Sequence, residues 1–107
     1  MIYSGKQIVS RIKIHFKKRG GAYEAWFVGI CKNARRRLFN AHGVHKTGDC
    51  WIYAHAESPK VARSVKSYFV KKLGTAGAKG AMGQDPSSAR PAEDFVYAYK
   101  KNEHTKP

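Results

Sequence analysis

The chain has 107 residues, of which 42% are hydrophobic and 12% are aromatic. This length suits one domain with a single modest core, and the apolar content is too high for a disordered chain. The 21 lysines and arginines outnumber the 7 acidic residues and give a net charge of +14. A charge of this size exceeds what solubility requires and predicts an anionic partner, with nucleic acid as the default.

Several other classes of protein do not fit this composition. No apolar run approaches the length of a transmembrane helix, and the N-terminus lacks the apolar segment of a signal peptide. We therefore expect an intracellular, cytoplasmic protein, and we expect neither a membrane partner nor a small-molecule substrate. Cys31 and Cys50 form no Cys-x-x-Cys pair, so we expect neither a disulfide framework nor a zinc finger.

The first predicted element is a helix that begins after Ser4 and ends at Gly20. Ser4 and Gln7 have the spacing of a capping box, in which each side chain accepts a hydrogen bond from the other residue's backbone. Three apolar residues then recur at helical spacing: Ile8, Ile12 and Phe16. The same stretch also alternates between apolar and polar residues, so a strand from residue 11 to 17 is the competing interpretation.

The next elements are two strands on either side of a short basic helix. Residues 23–30 are rich in aromatic and branched side chains and predict a strand. Asn33 suits the N-cap of a helix that runs through Ala41. Residues 50–56 alternate well enough to predict a second strand.

A third helix is predicted to begin at Ser58, because a capping serine is followed by proline at the first helical position. Its expected buried stripe consists of Val61, Ala62, Val65, Phe69 and Leu73. From residue 74 to 91 the chain is rich in glycine and small residues, which predicts a mobile loop. In that loop, Lys79 stands beside a backbone that could approach a phosphate closely.

Residues 95–99 predict a last strand, and residues 100–107 form a short basic tail. The alternation of helices and strands predicts one α+β domain over residues 1–107. In this domain helices pack on a small, mostly antiparallel sheet of about three strands.

One stretch of the chain resembles the second half of the GIY-YIG nuclease motif. Phe27-Val28-Gly29, then Arg37-Leu38, then His42 fall on that pattern without a gap, and the resemblance extends over roughly residues 23–74. It implies a GIY-YIG-like α+β fold and metal-dependent cleavage of phosphodiester bonds. It also implies that Arg37 clamps a phosphate and that His42 supports catalysis. Without the resemblance, Arg37 would be an ordinary exposed helix residue and His42 a helix-terminal histidine.

The chain departs from that family at the metal ligand and at the phenol. The family's helix carries a metal-binding glutamate four residues after an alanine that Ala62 resembles, but this position is Lys66. A protonated ammonium has no lone pair and cannot bind a metal ion. Glu57 is the nearest carboxylate and the candidate metal ligand. Phe27 lacks the family's hydroxyl, which leaves Tyr3 or Tyr23 as the possible phenol.

Our prediction is therefore a nucleic-acid-binding protein on a GIY-YIG nuclease-like scaffold, with cleavage lost or weak. DNA is favoured over RNA, no cofactor is expected, and the oligomeric state stays open. The residues predicted to contact nucleic acid are Arg35, Arg36, Arg37, Lys60, Arg63, Lys66, Lys71 and Lys79. One alternative is an active endonuclease that uses Mg²⁺. A further alternative is an accessory protein that docks on an acidic protein partner.

Overall fold

The computed structural model describes residues 2–45, 47–76, 94–102 and 105. Most of the predicted loop at 74–91, including Lys79, lies outside the described residues, as does part of the tail at 100–107. The fold is α+β, as predicted. Its strands are β1 (Ile2–Tyr3), β2 (Trp26–Cys31), β3 (Trp51–Ala56) and β4 (Phe95–Lys100). None of the helices in the described part of the chain combines the length and the apolar composition needed to cross a bilayer.

Three helices accompany the strands, and two of them continue as π-helices. Helix α1 spans Gly5–Arg19. The α2 segment consists of one α-helical turn, Ala34–Arg36, that continues as a π-helix, Arg37–Ala41. Helix α3 spans Pro59–Ser67 and continues as a π-helix over Tyr68–Leu73. The helices predicted from residues 33 to 41 and 58 to 74 are thus confirmed in place, although their last turns are wider than an α-helix.

The capping box predicted at the start of α1 is present. The Ser4 side chain accepts from the Gln7 N–H at 3.2 Å, and the Gln7 side chain accepts from the Ser4 N–H at 2.9 Å. The helical prediction is confirmed and the strand alternative for this stretch is wrong. Burial gives the reason: Ile8, Ile12 and Phe16 are buried at helical spacing, whereas Ile14 is 53% exposed.

Strand β2 begins three residues later than its sequence pattern predicts. A 3₁₀ turn, Tyr23–Ala25, precedes it, with the Ala25 N–H donating to the Ala22 carbonyl at 3.0 Å. Tyr23 and Glu24 are exposed, whereas β2 itself is buried almost throughout. The aromatic residue at position 23 therefore lies at the margin of the core, outside the sheet.

The sheet has the strand order β1-β3-β4-β2. Strand β4 lies between β3 and β2 and runs antiparallel to both, so that Tyr97 is paired with Gly29 on one side and Tyr53 on the other. Strand β1 pairs parallel with β3 at the far edge. The mostly antiparallel sheet is as predicted. Two residues are too few to show a periodicity, and for this reason β1 was not predicted.

Side-chain alternation along the strands divides the core between the two faces of the sheet. On the α1/α3 face, the helices α1 and α3 cover the buried strand residues Trp26, Val28, Ala54, Ala56, Val96 and Ala98. On the opposite α2 face, the buried strand residues are Phe27, Cys31, Tyr97 and Tyr99, which pack against Ala34, Leu38 and Val44. The α2 segment and α3 therefore lie on opposite sides of the sheet.

The outer edge of β2 is covered by the chain that leaves α3. The Val28 N–H donates to the Ala76 carbonyl at 2.9 Å, and the Ala76 N–H donates to the Trp26 carbonyl at 2.8 Å. Gly74 makes this return possible because it ends α3 with φ at +85°, a conformation that favours glycine. The outer edge of β2 is thus hydrogen-bonded within the chain at Trp26 and Val28.

His15 makes the stability of this fold depend on pH. It packs edge-on against Trp26, with ring centroids 5.5 Å apart, and its buried Nε2 has no hydrogen-bond partner among the described residues. Burial, followed by the charges of Arg19 and Lys18, lowers the pKa of His15 below its ordinary value of 6.5. At pH values between this lowered pKa and 6.5, His15 therefore binds a proton to a greater extent in the unfolded chain than in the folded protein.

We therefore predict that the free energy of unfolding falls as the pH is lowered from about 7 to about 5. The His15→Gln variant, which takes up no proton there, should lose less stability over the same interval. Urea denaturation of both proteins at each pH measures the difference. Parallel pH profiles for the two proteins would contradict this role for His15.

Candidate nucleic-acid interface

The α2 segment presents three consecutive arginines to solvent. The Asn33 side chain accepts from the Arg36 N–H at 3.1 Å and starts the first turn, as predicted. Ala34 and Leu38 are buried against the sheet, four residues apart on one side of the helix. Arg35, Arg36 and Arg37 are consequently exposed. Within the described residues, none of the three forms an ion pair with a carboxylate.

His42 anchors the end of this segment to β4. Its backbone N–H donates to the Arg37 carbonyl at 3.0 Å, five residues earlier. Its Nε2 lies 2.7 Å from the Tyr97 hydroxyl, and its Nδ1 lies 3.1 Å from the Tyr99 hydroxyl. In a neutral imidazole one of these nitrogens donates and the other accepts. Both ring nitrogens of His42 are therefore used to hold the segment on the sheet.

The two tyrosines are buried components of the same network. Phe27 stacks on Tyr99 at 5.2 Å and lies 4.8 Å from the His42 ring. Burial raises the pKa of Tyr99 above its ordinary value of 10. Its hydroxyl stays protonated at neutral pH. It can hydrogen-bond to a ring nitrogen of His42, but it is poorly suited to act as a general base.

Gly29 is required because the Tyr97 ring lies directly against it. A Cβ atom at position 29 would stand 2.5 Å from the Tyr97 hydroxyl oxygen and 2.6 Å from the ring carbon that bears it. These separations are too short for non-bonded atoms. The glycine of the Phe27-Val28-Gly29 tripeptide thus has a packing role that places Tyr97 within reach of His42.

The predicted catalytic residues do not converge on one exposed site. Arg37 is exposed, whereas His42 is 7% exposed. Tyr3 lies on the far edge strand and packs on the α1/α3 face, with Arg11 4.6 Å from its ring centroid. Tyr23 is 40% exposed and contacts Phe16 on that same face. The hydroxyls that reach His42 instead belong to two tyrosines of β4.

The predicted nucleic-acid contacts are divided between two layers. Lys60 and Lys71 are exposed and Arg63 is half-buried, all on α3 and its continuation, across the sheet from the α2 segment. Lys66 is only 8% exposed. A phosphate held by Arg37 is therefore separated from Lys66 by the sheet. The predicted contacts of Arg37 and Lys66 with nucleic acid are therefore not brought together in one site.

Glu57 is exposed and follows the end of β3 directly. Among the described residues, no group of three or more His, Cys, Asp or Glu side chains could hold a metal ion. A Mg²⁺ ion needs no such group, because it can bind through one or two carboxylates together with substrate phosphates. Metal binding by Glu57 stays a prediction.

Sequence reasoning did not single out Tyr97 and Tyr99 as partners of His42. Their separation by one residue in a predicted strand does place them on the same face. The contact could be predicted only from the pairing of β4 with β2, which places Tyr97 beside Gly29 and Tyr99 beside Phe27. No local pattern carries that information.

No protein-family model matches this sequence, and comparison with curated proteins and with solved structures gives no significant match. The resemblance to GIY-YIG nucleases therefore stays a prediction that depends on six positions of the chain. What this protein does must be argued from its own surface, because an α+β fold by itself implies no function.

The contact between Gly29 and Tyr97 leads to a testable prediction. Gly29→Ala should destabilise the protein by about 1–3 kcal/mol, because the added methyl group displaces the Tyr97 ring from His42. Chemical denaturation measures the loss.

Replacing Tyr97 by Leu should make the Gly29→Ala change much less costly, since the ring that clashes is gone. Gly5→Ala is the control, because its added Cβ meets only Val61 and Val65, at 3.4 and 3.7 Å. Additive costs for the Gly29 and Tyr97 changes would contradict the contact.

Proposed function

We propose that this protein binds nucleic acid through the exposed arginines of the α2 segment, on a GIY-YIG-like scaffold that has lost most or all cleavage. The observation that carries the proposal is the triplet Arg35, Arg36 and Arg37, exposed on a segment whose other side is anchored in the core. A guanidinium group donates two parallel hydrogen bonds to a phosphate, and several guanidinium groups on a fixed segment suit a phosphate backbone.

The small number of carboxylates, 7 against 21 lysines and arginines, supports an external anion as the partner of these arginines. Asp49 accepts from the His45 N–H at 2.7 Å and from the Asn102 side chain at 2.9 Å. Asp94 lies 2.7 Å from Nε2 of His55. With a net charge of +14, most lysines and arginines have no acidic residue to neutralise them. When lysines and arginines of such a surface neutralise phosphates, the counterions condensed on the nucleic acid are released, and this release favours binding.

Three features favour binding without efficient cleavage. The position that carries the metal-binding glutamate in GIY-YIG nucleases is Lys66, whose ammonium cannot bind a metal ion. Phe27 has no hydroxyl. His42 is buried, and both of its ring nitrogens lie within hydrogen-bond distance of tyrosine hydroxyls. An imidazole held in this way supports packing better than proton transfer to a substrate.

The arginine triplet generates the first test of this proposal. In a fluorescence anisotropy titration with labelled DNA, affinity should fall steeply as salt rises, because each bound phosphate releases counterions. Changing Arg35, Arg36 and Arg37 together to Gln should weaken binding at low salt. It should also reduce the slope of log affinity against log salt by about one for each phosphate that the variant no longer binds.

The matched control removes the same charge from the opposite side of the sheet. Lys17, Lys18 and Arg19 are consecutive and exposed at the end of α1, so changing all three to Gln alters the net charge equally. This variant should keep most of the affinity. Equal losses in the two triple variants would contradict an interface on the α2 segment. Failure of the unaltered protein to bind at low salt would remove nucleic acid as the partner and favour an acidic protein instead.

A second test separates binding from cleavage. Incubated with supercoiled plasmid and Mg²⁺, Mn²⁺ or EDTA, the protein should retard the plasmid on a gel in all three conditions and leave it uncut. The reason is that Lys66 supplies no metal ligand at the position of the family's glutamate. Metal-dependent nicking that disappears in Arg37→Ala would overturn this prediction and favour an endonuclease with a displaced ligand such as Glu57.

A further inference from the structure

The α2 face of the sheet is only partly covered. Phe27, Tyr97 and Tyr99, on β2 and β4, are at most 2% exposed beneath the α2 segment. Beyond them, four rings on β3 and at the start of β4 are only half-buried. We name these the aromatic column: Trp51, Tyr53, His55 and Phe95. The open part of an antiparallel sheet face usually carries polar side chains. The rings of this column are therefore unexpected there, and they suggest a binding surface.

The rings of the aromatic column form an ordered surface. Trp51 and Tyr53 are nearly parallel, at 8° with centroids 6.0 Å apart. His55 and Phe95 are stacked at 12° and 4.4 Å, and Tyr53 meets Phe95 edge-on at 6.2 Å. The strand register explains the arrangement, because His55 is paired with Phe95 and the other two residues follow on the same face. The column runs along most of β3 as a row of flat rings.

The α2 segment, which carries the arginines, borders this column. Phe39 of the α2 segment contacts Trp51 edge-on, with ring centroids 5.0 Å apart, so the segment lies directly beside the column. Arg35 precedes Phe39 by four residues and therefore lies on the same side of the segment, about one turn earlier. The acidic residue nearest the column in sequence is Asp94, and its carboxylate is hydrogen-bonded to His55 at 2.7 Å. Fixed positive charge thus stands next to half-exposed aromatic rings.

From this juxtaposition we infer that the protein takes single-stranded nucleic acid, with bases stacked on Trp51 and Tyr53 and phosphates held by Arg35 and its neighbours. This inference rests on the proposed function and adds the class of nucleic acid and the residues that select it. Bases in a duplex are already stacked and paired, whereas unpaired bases can lie on exposed rings. Base stacking on aromatic side chains tolerates any sequence, because every base has a flat π face.

The two tryptophans of the chain provide a direct readout. Trp26 is fully buried on the α1/α3 face, and Trp51 is half-buried in the aromatic column. Titration with oligodeoxythymidylate should quench tryptophan fluorescence through Trp51. An abasic oligomer with the same number of phosphates should bind through the arginines with little quenching. Trp51→Phe should abolish the quenching, because only Trp26 remains.

Affinity measurements on tyrosine variants complete the test. Tyr53→Leu should weaken binding of oligodeoxythymidylate about tenfold and leave abasic binding unchanged, whereas Tyr53→Phe keeps the ring and should keep the affinity. Tyr68→Leu is the matched control, since Tyr68 is half-buried like Tyr53 and packs on Phe69 on the opposite face. If Tyr53→Leu does not fold, the quenching of the unaltered protein still decides the question. Oligouridylate in parallel separates DNA from RNA.

The possible outcomes distinguish the two proposals. Stronger binding of base-bearing than of abasic oligomers, with quenching that depends on Trp51, supports stacking on the column. Equal binding of both oligomers without quenching overturns the stacking inference and leaves the electrostatic function in place. Binding of neither oligomer overturns both. Preference for a duplex over the single strand would also overturn the inference, because duplex bases cannot lie on the column.

Discussion

The pairing of β4 with strands on both sides is the constraint on which the rest of this structure depends. Because β4 lies between β3 and β2, its register aligns Tyr97 with Gly29 and Tyr99 with Phe27. A shift of one residue would exchange the two faces of β4 and place its tyrosines among the aliphatic residues beneath α1 and α3. The ring contacts that Phe95, Tyr97 and Tyr99 make on the α2 face depend on this register.

The α2 segment connects that buried register to the surface. Leu38 packs into the core, and His42 joins the segment to two tyrosines of β4. The arginines on its outer side are therefore held on a well-packed support, which would lower the entropy lost in the phosphate binding that we propose. The same segment covers only part of the sheet, and this leaves the aromatic column beside the charges. The exposed arginines and the partly open row of rings thus follow from one packing arrangement.

Local signals predicted most of the helices and strands but not how they meet. Ser4, Asn33 and Ser58 each cap a helix where the sequence pattern placed one, because capping needs only a side chain and the next turn of backbone. The site was less predictable. Lys66 and Arg37 both belong to helices that the sequence predicts. The sequence pattern of a helix does not determine on which side of the sheet it packs. For this reason the predicted contacts of α3 and of the α2 segment lie on opposite layers.

The sequence by itself determined the excess of positive charge, the positions of the helices and the alternation within the three longer strands. These properties depend on composition or on residues within one or two turns of each other. Only the tertiary structure decided that β4 is central, that His42 is buried against Tyr97, and that the rings of β3 stay partly open beside the arginines. Each of these outcomes joins residues far apart in the chain or depends on which helix covers which strand. Such contacts arise from the collective packing of the whole sheet, which no local pattern encodes.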